Sequence, residues 1–200
     1  MKSTDATDPH GDDPTFGYLA FLEDEAVGFT GGYLIVTATG RPLEFHCTAP
    51  LAASRAQQIL FGPTLRPYLL GEQLGRTLVR RSAIKASVVV IADADAAPAA
   101  ADLPVVRLAA REPSTPDQPA AAPQTAIRLP GVTAWAHQRH AQQAERWLQQ
   151  LTQSVDPCEP FERITQAIRE AQRLGQGQPG DQMSGNRLSA NTEASDRRAA

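Results

Sequence analysis

Residues 31–48 read Gly-Gly-Tyr-Leu-Ile-Val-Thr-Ala-Thr-Gly-Arg-Pro-Leu-Glu-Phe-His-Cys-Thr, and this stretch decides the fold class. Two runs of β-branched and aromatic residues flank Thr39-Gly40, a good two-residue turn, so the segment predicts an antiparallel hairpin. With that loop Ala38 faces Arg41, Val36 faces Leu43, Leu34 faces Phe45 and Gly32 faces Cys47. Period-two alternation puts this set on one apolar face, which predicts a buried Cys47 thiol. The other face carries Ile35 opposite Glu44 and Tyr33 opposite His46. Tyr33, Glu44 and His46 are thus candidate binding residues on a shared surface. Pro42 has no amide to donate, which predicts an edge position for the start of the second strand. A turn centred on Gly40-Arg41 would slip the register and exchange the faces.

Working outward, Phe16 to Leu22 reads as a strand closed by the acidic turn Glu23-Asp24-Glu25. After the hairpin, Ser54 and Gln57 form a capping box for a short helix ending at Leu60, and Gly62-Pro63 stops it. Thr64 or Arg66 opens a second helix with Pro67 in its first turn. Leu70, Leu74 and Leu78 recur at helical spacing. Gly71 and Gly75 weaken that helix, so they predict close packing against a neighbouring element. Ser87–Ala92 and Leu103–Ala109 read as strands, joined by an alanine-rich spacer too short for a full crossover helix. Ala126–Leu129 reads as one more short strand.

Two helices close the pattern, one from about Val132 to about Gln153 and one from Asp156-Pro157 to Gly175. Their stripes carry Trp147, Phe161 and Ile164, read as contact residues that pack on the chain's own sheet or on a second protein. The class is α+β: an N-terminal antiparallel β-meander packed by helices, two or three further strands, and a C-terminal helical pair. The expected organisation is a disordered acidic arm over 1–14, a main core over 15–111 and a Pro/Ala-rich linker over 112–125. A short strand with the helical pair follows over 126–175, and a disordered tail over 176–200.

The 200-residue chain carries a net charge of −3, with Lys2 and Lys85 as its only lysines. That balance gives no bias towards phosphate backbones or acidic membranes. No apolar run approaches a membrane span, and the arm carrying Asp5, Asp8, Asp12 and Asp13 is no export signal, so a cytoplasmic protein with two free thiols is expected.

Few residues suggest chemistry. Asp93-Ala94-Asp95 follows a hydrophobic strand, where open sheets place ligands, and two alternating carboxylates suit a divalent metal. The pattern resembles the opening motif of haloacid-dehalogenase-type phosphotransferases. Ala97 stands where those enzymes carry threonine or valine, and no lysine follows Lys85, so that family is rejected and an acidic turn is the simpler reading. His137 and His140 share a face at metal-ligand spacing but lack further ligands. Cys158, in the first turn of a helix, is expected to have a lowered pKa. Phosphate-cradling glycine loops, GxSxG elbows and zinc-finger patterns are missing.

Lacking a complete catalytic set, the sequence leads to an expectation of a cytosolic, non-enzymatic interaction or regulatory module acting through protein–protein contacts or self-association. No catalytic residue, metal or cofactor is assigned, and nucleic acid has the least support as a partner. The alternative is a small enzyme using Asp93 and Asp95 with a divalent metal, or a cysteine thiol.

Overall fold

The computed structural model describes residues 13–100, 102–109 and 124–176. The expectations for an acidic arm, a linker and a tail fall almost wholly on residues outside these. Strands β1 (Phe16–Asp24), β2 (Gly28–Val36) and β3 (Pro42–Cys47) form the N-terminal meander. Helix α1 (Arg55–Phe61) leads into a helical rod made of α2 (Leu65–Pro67), a π-helical stretch (Tyr68–Gly75) and α3 (Arg76–Arg81). Strand β4 (Val88–Ile91), a 3-10 helix (Ala94–Ala100) and β5 (Val105–Ala109) follow, then β6 (Gln124–Leu129), β7 (Val132–His137), α4 (Gln138–Thr152) and α5 (Glu159–Gln176).

The seven strands make one mixed sheet in the order β3-β2-β1-β4-β5-β7-β6. Strands β1, β4 and β5 run parallel, and the other neighbours are antiparallel. This is an α+β architecture with N-terminal strands and C-terminal helices. The strands on either side of residues 110–123 belong to the same sheet. The spacer between β4 and β5 does cross between parallel strands, with a 3-10 turn in place of a full helix.

The hairpin register holds over its four inner pairs: Gly32 with Cys47, Tyr33 with His46, Leu34 with Phe45 and Ile35 with Glu44. It breaks next to the turn, where Val36 pairs with Pro42 through an irregularity. The slip carries Leu43 to the opposite face from the expected one, where it packs beside Tyr33 and Ile35. Edge placement of Pro42 follows from β3 being the outermost strand.

Both faces of the sheet are buried at its centre, and the edge strands β3 and β6 are partly exposed. Helices α4 and α5 cover one face, over Phe16, Tyr18, Leu34, Val36, Val88 and Val90. The helical rod and the 3-10 helix cover the other, over Leu19, Tyr33, Ile35, Val89 and Ile91. Cys47 is nevertheless exposed, contrary to its expected burial. Its strand is the sheet edge, and α5 packs over β1 and β2, so nothing of the helical layer comes down on the thiol.

The expected helix start at Val132 is also corrected. Residues 132–137 are the strand β7, paired with β5 and β6, and α4 begins only at Gln138. Gly71 and Gly75 pack as the sequence suggests. A Cβ on Gly71 would lie 2.9 Å from Pro98 and from the Asp95 carbonyl oxygen, and one on Gly75 would lie 2.5 Å from Ala99. The rod therefore sits directly on the 3-10 segment that follows β4.

Candidate functional site

Because β1 and β4 are adjacent and parallel, their carboxyl ends meet at one edge of the sheet. Glu23 and Asp24 end β1, and Asp93 and Asp95 follow β4. Asp93 organises its own turn: Oδ1 accepts the Asp95 amide at 3.0 Å, and its carbonyl oxygen accepts the Ala96 amide at 3.1 Å. The close approach at Gly71 brings the rod alongside this turn, so that Arg66, one turn earlier on the rod, reaches both carboxylates. Its Nη1 donates to Asp93 Oδ2 at 2.6 Å and to Asp95 Oδ2 at 3.0 Å, and Nη2 lies 3.7 Å from Glu23 Oε2. Partial burial works against the charge on Arg66, but the two aspartates outweigh it and raise the guanidinium pKa above its ordinary value.

Arg66 and Glu23 of this cluster line a cleft of about 530 Å³ together with Asp24, Glu25, Phe29 and Leu69, and Asp93 and Asp95 stand behind Arg66 as its ion-pair partners. Arg66 also lies over the Phe29 ring, 5.8 Å from its centroid. Beside it Phe61 stacks on Tyr68, with centroids 4.4 Å apart and planes at 25°. Tyr68 opens the π-helical stretch, a local widening that recurs at functional sites in helices. Ile59 and Leu60 on α1 stand open to solvent, and no residue of that helix is buried. The cleft thus combines a fixed guanidinium, carboxylates and flat aromatic surfaces.

Of the residues singled out from sequence, Asp93 and Asp95 belong to this cluster, and the others lie elsewhere. Glu44 and His46 do come together, at 2.5 Å, but as part of a latch. Glu44 accepts from the Ala83 and Ile84 amides and from Ser82 Oγ, tying β3 to the loop after α3. Tyr33 is fully buried beneath this face, and burial together with the Glu44 charge raises its pKa. Ile164 is buried against the sheet, and Trp147 and Phe161 pack on the same core, Phe161 edge-on to Tyr18 at 5.1 Å. The C-terminal helices therefore cover their own sheet, one of the two arrangements open from sequence.

His137 caps α4 from the end of β7, its Nδ1 accepting the Arg139 amide, so the two histidines do not share a helix as expected. Among the described residues no group of three or more His, Cys, Asp or Glu is placed to hold a metal ion.

Cys158 departs from expectation as well. Burial pushes its thiol pKa up, and Asp156 and Glu162 push it the same way. Cys47, exposed at the sheet edge, should therefore react first with a bulky thiol reagent in native buffer. Mass spectrometry of a labelling time course checks this, and equal rates or the reverse order would contradict the placement of both thiols.

No protein-family model matches the chain, and no curated protein matches it. Solved structures do. The human endonuclease V crystal structure matches with 13% identity and a TM-score of 0.53, covering 88% of this chain and 92% of that one. The catalytic domain of human endonuclease V matches at 14% identity with a TM-score of 0.50, covering 89% and 91%. Endonuclease V of Ciona intestinalis, in complex with a 23mer DNA containing an inosine followed by a ribo-adenosine, matches at 9% identity with a TM-score of 0.47, covering 82% and 87%.

At such identities the likeness is one of fold. The expectation of a non-enzymatic protein–protein interaction module is corrected by it, because the solved structures that share this fold are of endonuclease V. The low standing of nucleic acid as a partner falls with it. Sequence reasoning missed this because no linear motif marks the site: Arg66 and Asp93 are 27 residues apart. The signals that were legible, the paired glycines and the acidic turn, acquire meaning only once the rod lies on that turn. No helix among the described residues is long and apolar enough to cross a membrane.

Proposed function

We propose that this chain acts on nucleic acid, and that a strand is engaged along the cleft at the carboxyl ends of β1 and β4. The observation that carries the reading is the endonuclease V fold over about nine tenths of both chains. The chemistry of the cleft supports it. Arg66 offers a guanidinium to a phosphate or a base edge, Phe29 in the cleft offers a face on which a base stacks, and the stacked pair Phe61–Tyr68 lies outside its lining but next to it in sequence. A cytoplasmic location goes with this reading, and the two free cysteines support it.

The acidic rim adds a quantitative expectation. Glu23, Asp24 and Glu25 line the cleft beside its one arginine, which Asp93 and Asp95 already pair with, so few phosphates can be neutralised. Stacking then provides most of the affinity, which favours single strands over duplex. The logarithmic salt dependence of binding should have a slope near −1, against slopes of roughly −6 to −10 for proteins that clamp many phosphates.

Fluorescence anisotropy with labelled single- and double-stranded DNA and RNA 20-mers, at several salt concentrations, measures both quantities. Denaturing gels of the same mixtures show whether any strand is cut. The expected result is saturable binding of single strands in the range of about 10⁻⁴–10⁻⁶ M. No binding and no cleavage of any of the four substrates would remove the proposal.

A further inference from the structure

We propose that Arg66 is the resident cation of this site, occupying the place between Asp93 and Asp95 that a divalent ion takes in metal-dependent phosphodiester chemistry, so that the cleft works on nucleic acid without loading magnesium or manganese. This rests on the nucleic-acid reading above and gives it a direction. Hydrolysis of phosphodiesters at a carboxylate cluster ordinarily uses one or two divalent ions that bind both the carboxylates and the phosphate. Such an ion is held by one or two carboxylates together with water and substrate phosphate, so it needs carboxylate lone pairs aimed at it and no other cation already seated between them.

The donor set in this chain does not fit that requirement. Asp93 Oδ2 and Asp95 Oδ2 are both taken by Arg66 Nη1, at 2.6 Å and 3.0 Å. Asp93 Oδ1 is taken by the Asp95 amide. Three of the four oxygens of the pair are thus committed to N–H donors. The third carboxylate, Glu23, turns to the same guanidinium at 3.7 Å. Arg66 therefore meets all three acidic groups at once.

The arrangement is also built, in the sense that neighbours hold it. The Phe29 ring lies against one face of the guanidinium, and the close contact at Gly71 fixes the distance between the rod and the Asp93–Asp95 turn. Two hydrogen bonds from Nη1 orient the planar fork, and Arg66 is among the residues that line the cleft. A phosphate oxygen arriving there meets N–H donors whose direction is already set, as an arginine fork requires and a hydrated metal ion does not.

The test uses the full chain. Manganese is titrated calorimetrically into wild type, into Arg66→Gln and into Asp93→Asn. Oligonucleotide anisotropy is run in parallel with EDTA and with magnesium, and circular dichroism confirms that each variant is folded. Wild type should show no saturable manganese binding, and Arg66→Gln, with its carboxylates released, should bind manganese at least tenfold more tightly. Oligonucleotide affinity of wild type should be the same within twofold in EDTA and in magnesium.

Stoichiometric manganese binding by wild type that Asp93→Asn abolishes would overturn the proposal, as would an Arg66→Gln protein with no gain in manganese affinity. Oligonucleotide binding that needs a divalent ion would overturn it while leaving the nucleic-acid reading intact. The manganese titration of wild type uses no nucleic acid, so it decides the question even if no oligonucleotide binds. That last result would count against the nucleic-acid reading alone.

Discussion

Gly32→Ala and Ile164→Ala are each expected to destabilise the chain strongly, and the double variant to cost clearly less than the sum. Gly32 sits in β2 under α5, and a Cβ built on it would lie 2.4 Å from Ile164 Cγ2 and 3.0 Å from Ile168 Cδ1. Side chains in a close-packed layer have no such room, so the methyl group must push the helix off the sheet, at a cost of about 1–3 kcal/mol. Ile164 is fully buried, and truncating it opens a cavity worth about 2–5 kcal/mol.

The cavity lies where the new methyl group would go. The two changes therefore compensate, with a coupling of about 1–3 kcal/mol. Urea unfolding of the wild type, both single variants and the double variant gives the cycle. Strict additivity would show that α5 does not lie on Gly32, and would take with it the placement of the whole helical layer.

How much of this was legible in the sequence depends on how local the cause is. The capping box at Ser54 and Gln57 closes on itself within four residues, and both of its hydrogen bonds form. The four inner pairs of the β2–β3 hairpin follow from the position of Gly40, whose φ of 76° suits a residue without a Cβ. The irregularity beside the turn, where Val36 pairs with Pro42, was not legible. Proline cannot take its place in the ladder, and the sequence does not say whether the strand skips a pair or ends.

The missed strand β7 shows a different limit. Pro130-Gly131 joins Leu129 to Val132 by a two-residue loop, with Gly131 at φ 76°. Proline followed by a left-handed glycine is a turn signal in its own right. The strand that follows it reads as helix because Val132–His137 runs without a break into the helical spacing of α4, and short apolar runs do not separate strand from helix by periodicity. Burial of Cys47 failed for a non-local reason again: alternation assigns a face, but only the position of α5 decides how far along the sheet that face is covered.

The same contrast separates the two polar clusters. Glu44 and His46 were legible as neighbours because they are two apart on one strand, and for that reason they looked like a site. Arg66, Asp93, Asp95 and Glu23 come from three segments and meet only through the parallel pairing of β1 with β4 and the close approach at Gly71. Chemistry assembled by tertiary contact leaves no spacing to read.

Glu44→Ala is expected to lower stability by about 2–3 kcal/mol, because it strips partners from several donors at once. Glu44 receives the Ala83 amide at 3.0 Å, the Ile84 amide at 2.9 Å and Ser82 Oγ at 2.7 Å, and it pairs with His46. Partial burial alone would push its carboxyl pKa up. The two amides, the hydroxyl and the imidazole outweigh burial and hold it down at about 2, against an ordinary 4.5.

A folded-state pKa below the unfolded one makes the group stabilising wherever the unfolded carboxylate is ionised. The latch is therefore at full strength above about pH 5 and weakens as the pH falls from 4.5 towards 2. Glu44→Gln keeps an acceptor oxygen but has no charge to lose, so its stability should lie below that of wild type at pH 7 and converge with it in acid. Chemical denaturation of both proteins at intervals between pH 7 and pH 2.5 makes the comparison. A stability difference that stays constant across that range would mean that the amides of Ala83 and Ile84 do not depend on the Glu44 charge, and that β3 is held to the loop after α3 by packing alone.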